Sequence, residues 1–162
     1  MAKITSIRVL FFLASIYNFY VHQKDFKKTF LNGYLKEEVY LDKPGGFILP
    51  KNENFFCKLV KSLYGLKQAP KQWHKKFVKA ILLNGFHYNG ANQYMYSKFT
   101  KDFSVIICLY KDDMLTFSTN MIAIVETKRY LSSIFKMKDL DELDTILDIK
   151  VKKHSSGYAF NQ

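Results

Sequence analysis

The feature that most constrains the fold is an apolar run interrupted by a charged tip. Residues 103–110 are nearly all β-branched, aromatic or otherwise apolar, and residues 114–117 resume this pattern after Lys111, Asp112 and Asp113. Such segments predict two buried strands joined as a hairpin. Two carboxylates about 4 Å apart repel by about 1 kcal/mol in water and by about 4 kcal/mol near a protein surface. A cation bound near Asp112 and Asp113 would relieve this repulsion.

Helical periodicity predicts three helices. In the amino-terminal helix the apolar positions are Ile4, Ile7, Leu10 or Phe11, Ala14, Tyr17 and Val21. A second helix is predicted to begin at Pro70 and to end at Asn84 and Gly85, with an apolar face of Trp73, Phe77, Ala80 and Ile81. A third follows Asn120, a good N-cap, and the positions that mark it as amphipathic are Ile122, Ile124, Val125, Lys128, Leu131 and Phe135.

Further extended segments complete the predicted domain. The first is 20–25, which brings Asp25 to a strand end, and the others are 39–41 with 47–49 around a Pro-Gly-Gly turn and 146–151 with 158–160 around a Ser-Ser-Gly turn. Helices interspersed with hairpins predict an α+β fold, formed as one domain over residues 1–162.

Charge indicates a polyanionic partner. The chain has 25 Lys and Arg against 14 Asp and Glu, a formal net charge of +11. Residues 54–101 contain no Asp or Glu, and within them Lys71, Lys75 and Lys79 recur at four-residue spacing on the second predicted helix. This lysine face is either a solvated helix surface or a surface that contacts phosphates, and the sequence leaves both interpretations open.

The remaining composition argues against several classes of protein. At 48% hydrophobic residues the chain is not a disordered tail. Cys57 and Cys108 are too few for a disulfide framework or a zinc site, and the four histidines have no metal-ligand spacing. The apolar residues 9–16 superficially resemble a signal peptide but lack a small-residue cleavage site, and no apolar stretch approaches the ~20 residues of a membrane span. We therefore expect an intracellular protein that is not in a membrane.

A divalent cation at Asp112 and Asp113 calls for a third carboxylate. Asp25 is the candidate, because it also follows an apolar run. Hard ions such as Mg²⁺ prefer carboxylate oxygens, and metal pairs assist phosphoryl displacement.

A longer motif carries a family resemblance. Residues 62–74, SLYGLKQAPKQWH, resemble the signature of the reverse transcriptases of copia-type retrotransposons. The family's order of motifs is also found here: Asp25 with residues 30–33 (FLNG), the hairpin around residues 107–114, and residues 137–140 (MKDL). The resemblance extends over essentially the whole chain.

The resemblance implies the palm of a polymerase, an antiparallel sheet packed on helices that copies an RNA or DNA template-primer with deoxynucleoside triphosphates. The catalytic and metal-binding residues would be Asp25, Asp112 and Asp113, with Mg²⁺ or, in its place, Mn²⁺. The nucleotide-binding residues would be Phe30, Gly65 and Gln68. The nucleic-acid-binding residues would be Lys67, Lys71, Lys75, Lys79, Tyr110 and Lys111. The family's location would be cytoplasmic, in virus-like particles, or nuclear.

Departures from the family pattern predict impaired or absent turnover in this copy. The match begins part-way into the family's domain, so we expect the amino-terminal fingers strands and most of the thumb to be missing. Lys111 replaces a residue that is usually apolar, and Asp141 and Asp148 stand where the family usually has glycine. Two alternatives follow: a catalytically silent nucleic-acid-binding remnant, or a poorly folding product whose apolar surface is left uncovered.

Overall fold

A computed structural model describes residues 2–27, 37–43, 46, 56–61, 63, 66, 69–90, 92–110, 113–142, 145–146, 149–154 and 157–161. The helices are α1 (Ile4–Ile16), α2 (Ala69–Leu83) and α3 (Met121–Ile134). The strands are β1 (Tyr20–Phe26), β2 (Tyr40–Leu41), β3 (Cys57–Lys58), β4 (His87–Asn89), β5 (Asn92–Phe99), β6 (Ser104–Tyr110), β7 (Asp113–Ser118), β8 (Met137–Glu142), β9 (Thr145–Ile146), β10 (Ile149–His154) and β11 (Gly157–Asn161). The chain forms two compact units, one of Met1–Lys27 with Ala80–Gln162 and one of Lys28–Lys79.

The first unit is organised around a six-stranded antiparallel sheet in the order β4-β5-β6-β7-β1-β8. The predicted hairpin is confirmed as β6 and β7, whose register runs from Val105 opposite Ser118 to Tyr110 opposite Asp113. The predicted strand at residues 20–25 is confirmed as β1, which is inserted between β7 and β8. The α+β class is thereby confirmed.

One face of this sheet is covered by α1. Phe11 packs edge-on against Phe117 of β7, with ring centroids 5.3 Å apart. Other buried residues of α1 belong to the same core cluster as Val21 and Leu115. A fully buried side chain of this size contributes about 1.5–3 kcal/mol, so α1 is a core helix of the fold.

The amino-terminal helix is shorter than its periodicity suggested. It ends at Ile16, because Asn18 adopts a left-handed conformation with φ of 50° that redirects the chain into β1. Tyr17 is consequently exposed, and Val21 reaches the core from β1 instead of from the helix. The inclusion of Tyr17 and Val21 in the helical face was wrong.

The third helix begins as predicted at Asn120, whose side-chain oxygen accepts a hydrogen bond from the Ile122 backbone N–H at 2.8 Å. Of the positions that mark this helix as amphipathic, Ile124, Lys128, Leu131 and Phe135 are buried. Ile122 and Val125 are exposed, so that part of the prediction was wrong. The smaller residues Ala123 and Thr127 occupy the buried face instead.

The second helix has the predicted buried face. Trp73, Phe77, Ala80 and Ile81 are all buried, and the Trp73 and Phe77 rings stack with centroids 5.7 Å apart. The helix ends before Gly85, whose φ of 81° favours glycine. Within the second unit, β2 pairs with β3, while residues 47–49 lie outside the described part of the chain.

The predicted terminal hairpin is confirmed as β10 and β11. It rests on α1, because the Tyr158 backbone N–H donates to Ser15 Oγ at 3.1 Å and the Tyr158 hydroxyl donates to the Phe19 carbonyl at 2.8 Å. At Gly157, with φ of 134°, an added Cβ would lie 2.9 Å from Ser15 Cβ. A glycine is therefore needed at this contact.

Asp141 occupies a backbone position that favours glycine. Its φ is 56°, and it lies in a bulge of β8, where His22 pairs with Glu142 and Lys24 pairs with Asp139. Left-handed backbone costs an ordinary L-residue about 1–2 kcal/mol, less for aspartate. The positive φ of Asp141 accounts for the glycine that the family usually has at this position, whereas Asp148 lies outside the described residues.

This strain predicts that Asp141→Gly will stabilise the folded chain. The relief of strain should outweigh two opposing effects, the more flexible unfolded state of a glycine chain and the loss of the ion pair from exposed Asp141 to Lys128. The net gain in the free energy of unfolding should be about 0.5 kcal/mol. Urea denaturation measures the change, and Asp141→Ala, which loses the same carboxylate but keeps a Cβ, should be less stable than wild type. A glycine variant no more stable than the alanine variant would contradict the prediction.

Candidate active site

Two aspartates face each other across the centre of the sheet. Asp25 of β1 lies directly opposite Asp113 of β7 in the antiparallel register. The row continues on both sides, because Tyr110 of β6 lies opposite Asp113 and Lys138 of β8 lies opposite Asp25. Residues opposed in this way share one face of a sheet. Three predicted site residues, Asp25, Asp113 and Tyr110, are therefore brought together.

The aspartate pair creates a local excess of negative charge. Directly opposed residues have Cβ atoms about 4.5–5.5 Å apart, and like charges in such pairs are destabilising. Both side chains are half-buried, so solvent screens their repulsion only in part. Lys138 is the neighbouring cation in the row and is exposed. The pair is suited to bind a cation that can reach it from solvent.

A glutamine holds one of the two carboxylates. Gln23 Nε2 donates a hydrogen bond to Asp113 Oδ1 at 2.8 Å. Gln23 lies two residues before Asp25 on β1, so both side chains are on the same sheet face. Sequence reasoning missed both Gln23 and Lys138. The two-residue spacing from Asp25 was a signal for Gln23, whereas Lys138 depends on the pairing of β8 with β1.

The opposite face of β1 carries a cluster of buried charges. Lys24 Nζ donates to Ser132 Oγ at 2.6 Å and lies 3.5 Å from Asp139 Oδ2. Lys128 Nζ forms an ion pair with Asp139 Oδ1 and lies 3.2 Å from His22 Nδ1. These contacts join β1 to α3 and β8 directly behind the aspartate pair, so they fix the strand that carries Asp25.

Proton affinities in this cluster reflect burial and pairing. Burial lowers the pKa of the Lys24 ammonium; the Asp139 carboxylate opposes this effect and the Lys128 ammonium adds to it. Partial burial acts to raise the pKa of Asp139, but the hydrogen bond from Lys128, with the Asp141 backbone N–H and both lysine charges, holds that pKa below its usual value. Asp139 is therefore the anion that compensates two buried cations.

The donor set fits a divalent cation in its chemistry. Carboxylate oxygens are the ligands that Mg²⁺ prefers, and Asp25 and Asp113 present them from opposed positions. Among the described residues there is no group of three His, Cys, Asp or Glu side chains that could hold a metal ion. The remaining predicted ligand, Asp112, lies outside those residues.

The other predicted site residues divide into two groups. Lys71, Lys75 and Lys79 are exposed on α2, as expected for a lysine face. Six predicted residues lie outside the described part of the chain: Phe30, Gly65, Lys67, Gln68, Lys111 and Asp112. In the part of the chain that the structure describes, we find no helix with the length and apolar character of a membrane span.

Comparison with known proteins identifies the family. Residues 1–162 match the family described as reverse transcriptase (RNA-dependent DNA polymerase). The chain is 40% identical over 156 residues to the Retrovirus-related Pol polyprotein from transposon TNT 1-94 of Nicotiana tabacum. This match covers 96% of this chain and 12% of that protein. It is 33% identical over 160 residues to the Retrovirus-related Pol polyprotein from transposon RE1 of Arabidopsis thaliana, a match that covers 99% of this chain and 11% of that protein. No solved structure matches the chain.

The chain therefore belongs to the reverse transcriptase family, and the relatives it matches are Pol polyproteins of copia-type retrotransposons. A similar match is found to the Transposon Ty1-NL2 Gag-Pol polyprotein of Saccharomyces cerevisiae, at 33% identity over 148 residues, or 87% of this chain and 8% of that protein. The chain spans only about a tenth of the length of these relatives. The family resemblance predicted from residues 62–74 is confirmed.

Proposed function

We propose that this chain is the palm of a reverse transcriptase and carries out RNA-directed DNA polymerisation. The primer 3′-hydroxyl gives up its proton to solvent and its oxygen forms a bond to the α-phosphorus of a deoxynucleoside triphosphate. The bond from that phosphorus to the oxygen bridging to the β-phosphate breaks, and pyrophosphate leaves. The observation that supports this proposal is the opposition of Asp25 and Asp113 at the tip of the central hairpin, in a chain that belongs to the reverse transcriptase family.

The aspartates are the residues that would hold metal in this proposal. Asp25 and Asp113, with Asp112 beside them in sequence, supply hard carboxylate oxygens. When bound, Mg²⁺ would neutralise charge on the attacking and leaving oxygens of the transfer. The contribution of the protein is to hold the carboxylates in place, and the buried cluster behind β1 supports Asp25 in this role.

Other residues have proposed binding roles. Tyr110, on the same face as the aspartates, would contact the primer end. Phe30, Gly65 and Gln68 would contact the incoming nucleotide, as the family motifs imply. Lys111 precedes the Asp112-Asp113 pair and adds a positive charge that competes with metal. Slow turnover in this copy is therefore part of the proposal.

Substrate choice tests the proposed reaction class. The folded chain, incubated with a primed RNA template and Mg²⁺, should incorporate labelled deoxynucleotides complementary to the template and prefer them to ribonucleotides. Incorporation that does not depend on the template sequence would overturn the assignment, as would its absence from a chain that melts cooperatively.

The exposed lysine face supports a second candidate function, nucleic-acid binding without turnover. Lys71, Lys75 and Lys79 form a cationic face within residues that contain no carboxylate. Lysines that neutralise phosphates release counterions, so binding weakens as salt rises. In this second function Asp113→Asn would leave template-primer affinity unchanged.

The salt dependence of binding tests the lysine face. Changing Lys71, Lys75 and Lys79 together to glutamine should make the slope of log affinity against log salt shallower by up to about 3 for a duplex template-primer. Fluorescence anisotropy measures this slope. A matched variant with exposed Lys3, Lys101 and Lys136 changed to glutamine controls for net charge, and equal slopes for the two variants would refute the assignment.

A further inference from the structure

We infer that Gln23 is a positioning residue that orients the Asp113 carboxylate for metal binding, an inference that rests on the proposed function. Gln23 is 8% exposed and its amide donates to Asp113 Oδ1 at 2.8 Å. This hydrogen bond restricts rotation of the carboxylate. Groups that hydrogen-bond to metal ligands fix the ligands' direction, and their loss costs about 10–100-fold in metal affinity or activity.

The position of Gln23 explains why a long side chain is needed. Asp113 lies opposite Asp25, so Gln23 is its diagonal neighbour, two residues back on β1. Diagonal neighbours are about 7–8 Å apart, which long side chains can span. Asparagine, one methylene shorter, should fail to reach. Gln23 therefore has both the donor and the length that the contact requires.

The sheet is irregular at this same level. His22 pairs with Glu142 and Lys24 pairs with Asp139, so two residues of β8, Leu140 and Asp141, lie opposite the single residue Gln23 of β1. Bulges increase local twist and re-aim side chains. On its other side, β1 pairs regularly with β7, where Gln23 lies opposite buried Leu115. Packing of Leu115 therefore fixes the backbone from which the Gln23 amide reaches Asp113. The backbone that carries the amide thus lies between the regular pairing with β7 and the bulge of β8.

Gln23 acts on Asp113 and not on the reacting atoms, so its removal should have a particular signature. Gln23→Met keeps the length of the side chain and removes the donor, whereas Gln23→Asn keeps the donor and shortens the side chain. Both variants should bind metal more weakly while they melt near the wild-type temperature. A merely structural glutamine would show the reverse, a lower melting temperature with unchanged metal affinity.

The test is Mn²⁺ binding by the full chain, measured from the electron paramagnetic resonance signal of the free ion. Both Gln23 variants should raise the Mn²⁺ dissociation constant about 10-fold. The control is Gln93→Met, the same chemical change at an exposed position on β5, and it should bind as wild type does. In the wild-type chain, Mg²⁺ should shift the Gln23 side-chain amide resonance and leave that of Gln93 in place, a readout that does not depend on whether a variant folds.

The outcomes separate this inference from the proposed function. If wild type binds Mn²⁺ and Gln23→Met binds it equally well, with no shift of the Gln23 amide signal, the inference is overturned and the proposed function stands. If the folded wild-type chain binds no Mn²⁺, the proposed metal site fails and the inference fails with it. Weaker Mn²⁺ binding by both Gln23 variants, with wild-type binding by Gln93→Met, supports the positioning role.

Discussion

Asp25→Asn is expected to reduce Mg²⁺-dependent nucleotide incorporation by about 10²-fold or more, because charge stabilisation of this kind contributes several kcal/mol to phosphoryl transfer. The same substitution should leave the chain as stable as wild type or more so. Asp25 lies opposite Asp113, and removal of one of two opposed like charges relieves their repulsion. Loss of function without loss of stability is the expected combination.

The measurement pairs single-nucleotide incorporation with urea denaturation for each variant. Asp102→Asn is the matched control, since Asp102 is exposed in the turn between β5 and β6. It makes the same change in net charge and should retain incorporation. If the Asp25→Asn chain incorporated nucleotide at the wild-type rate, Asp25 would have no role in catalysis.

Asp139→Asn should have the largest effect on stability. Asp139 is the counter-ion of both Lys24 and Lys128, whose side chains are 6% and 9% exposed. Removing one partner of a fully buried pair costs about 3–5 kcal/mol. Because the Asp139 side chain is 40% exposed, we expect about 2 kcal/mol of the free energy of unfolding to be lost.

Acid titration provides an independent control for Asp139. Its folded-state pKa lies below the ordinary value of 3.8, so its stabilising contribution is full above pH 3.8 and is lost as pH falls through the folded pKa. The difference in stability between wild type and Asp139→Asn should therefore be constant near neutral pH and shrink below about pH 4. A difference that persisted unchanged into strong acid would assign the effect to packing.

Local signals in the sequence were sufficient for the elements with strong periodicity or clear end signals. The hairpin at residues 104–118, the helix closed by Gly85 and the cap at Asn120 all depend on neighbouring residues, and all were predicted. The ribbon of β4 and β5 was not predicted. Its buried residues Met95 and Tyr96 are adjacent, so the alternation that marks a half-buried strand is absent.

The candidate site depends on contacts between distant residues, and these could be predicted only in part. The family motifs proposed Asp25 and Asp113 as partners, and their opposition in the sheet arises because β1 inserts between β7 and β8. Nothing local to Gln23 shows that its amide reaches Asp113, 90 residues away. Likewise, Lys24 appears in sequence as an ordinary surface lysine, and only the fold pairs it with Asp139.

The most direct test of the central claim is labelled-deoxynucleotide incorporation on a primed RNA template with Mg²⁺, comparing the purified chain with its Asp112→Asn/Asp113→Asn variant. Both proteins must first show a cooperative melting transition. The proposal predicts slow, template-dependent incorporation by the wild-type chain and none by the variant. Equal incorporation by the two proteins, or none by a folded wild-type chain, would contradict the claim that these carboxylates support polymerisation here.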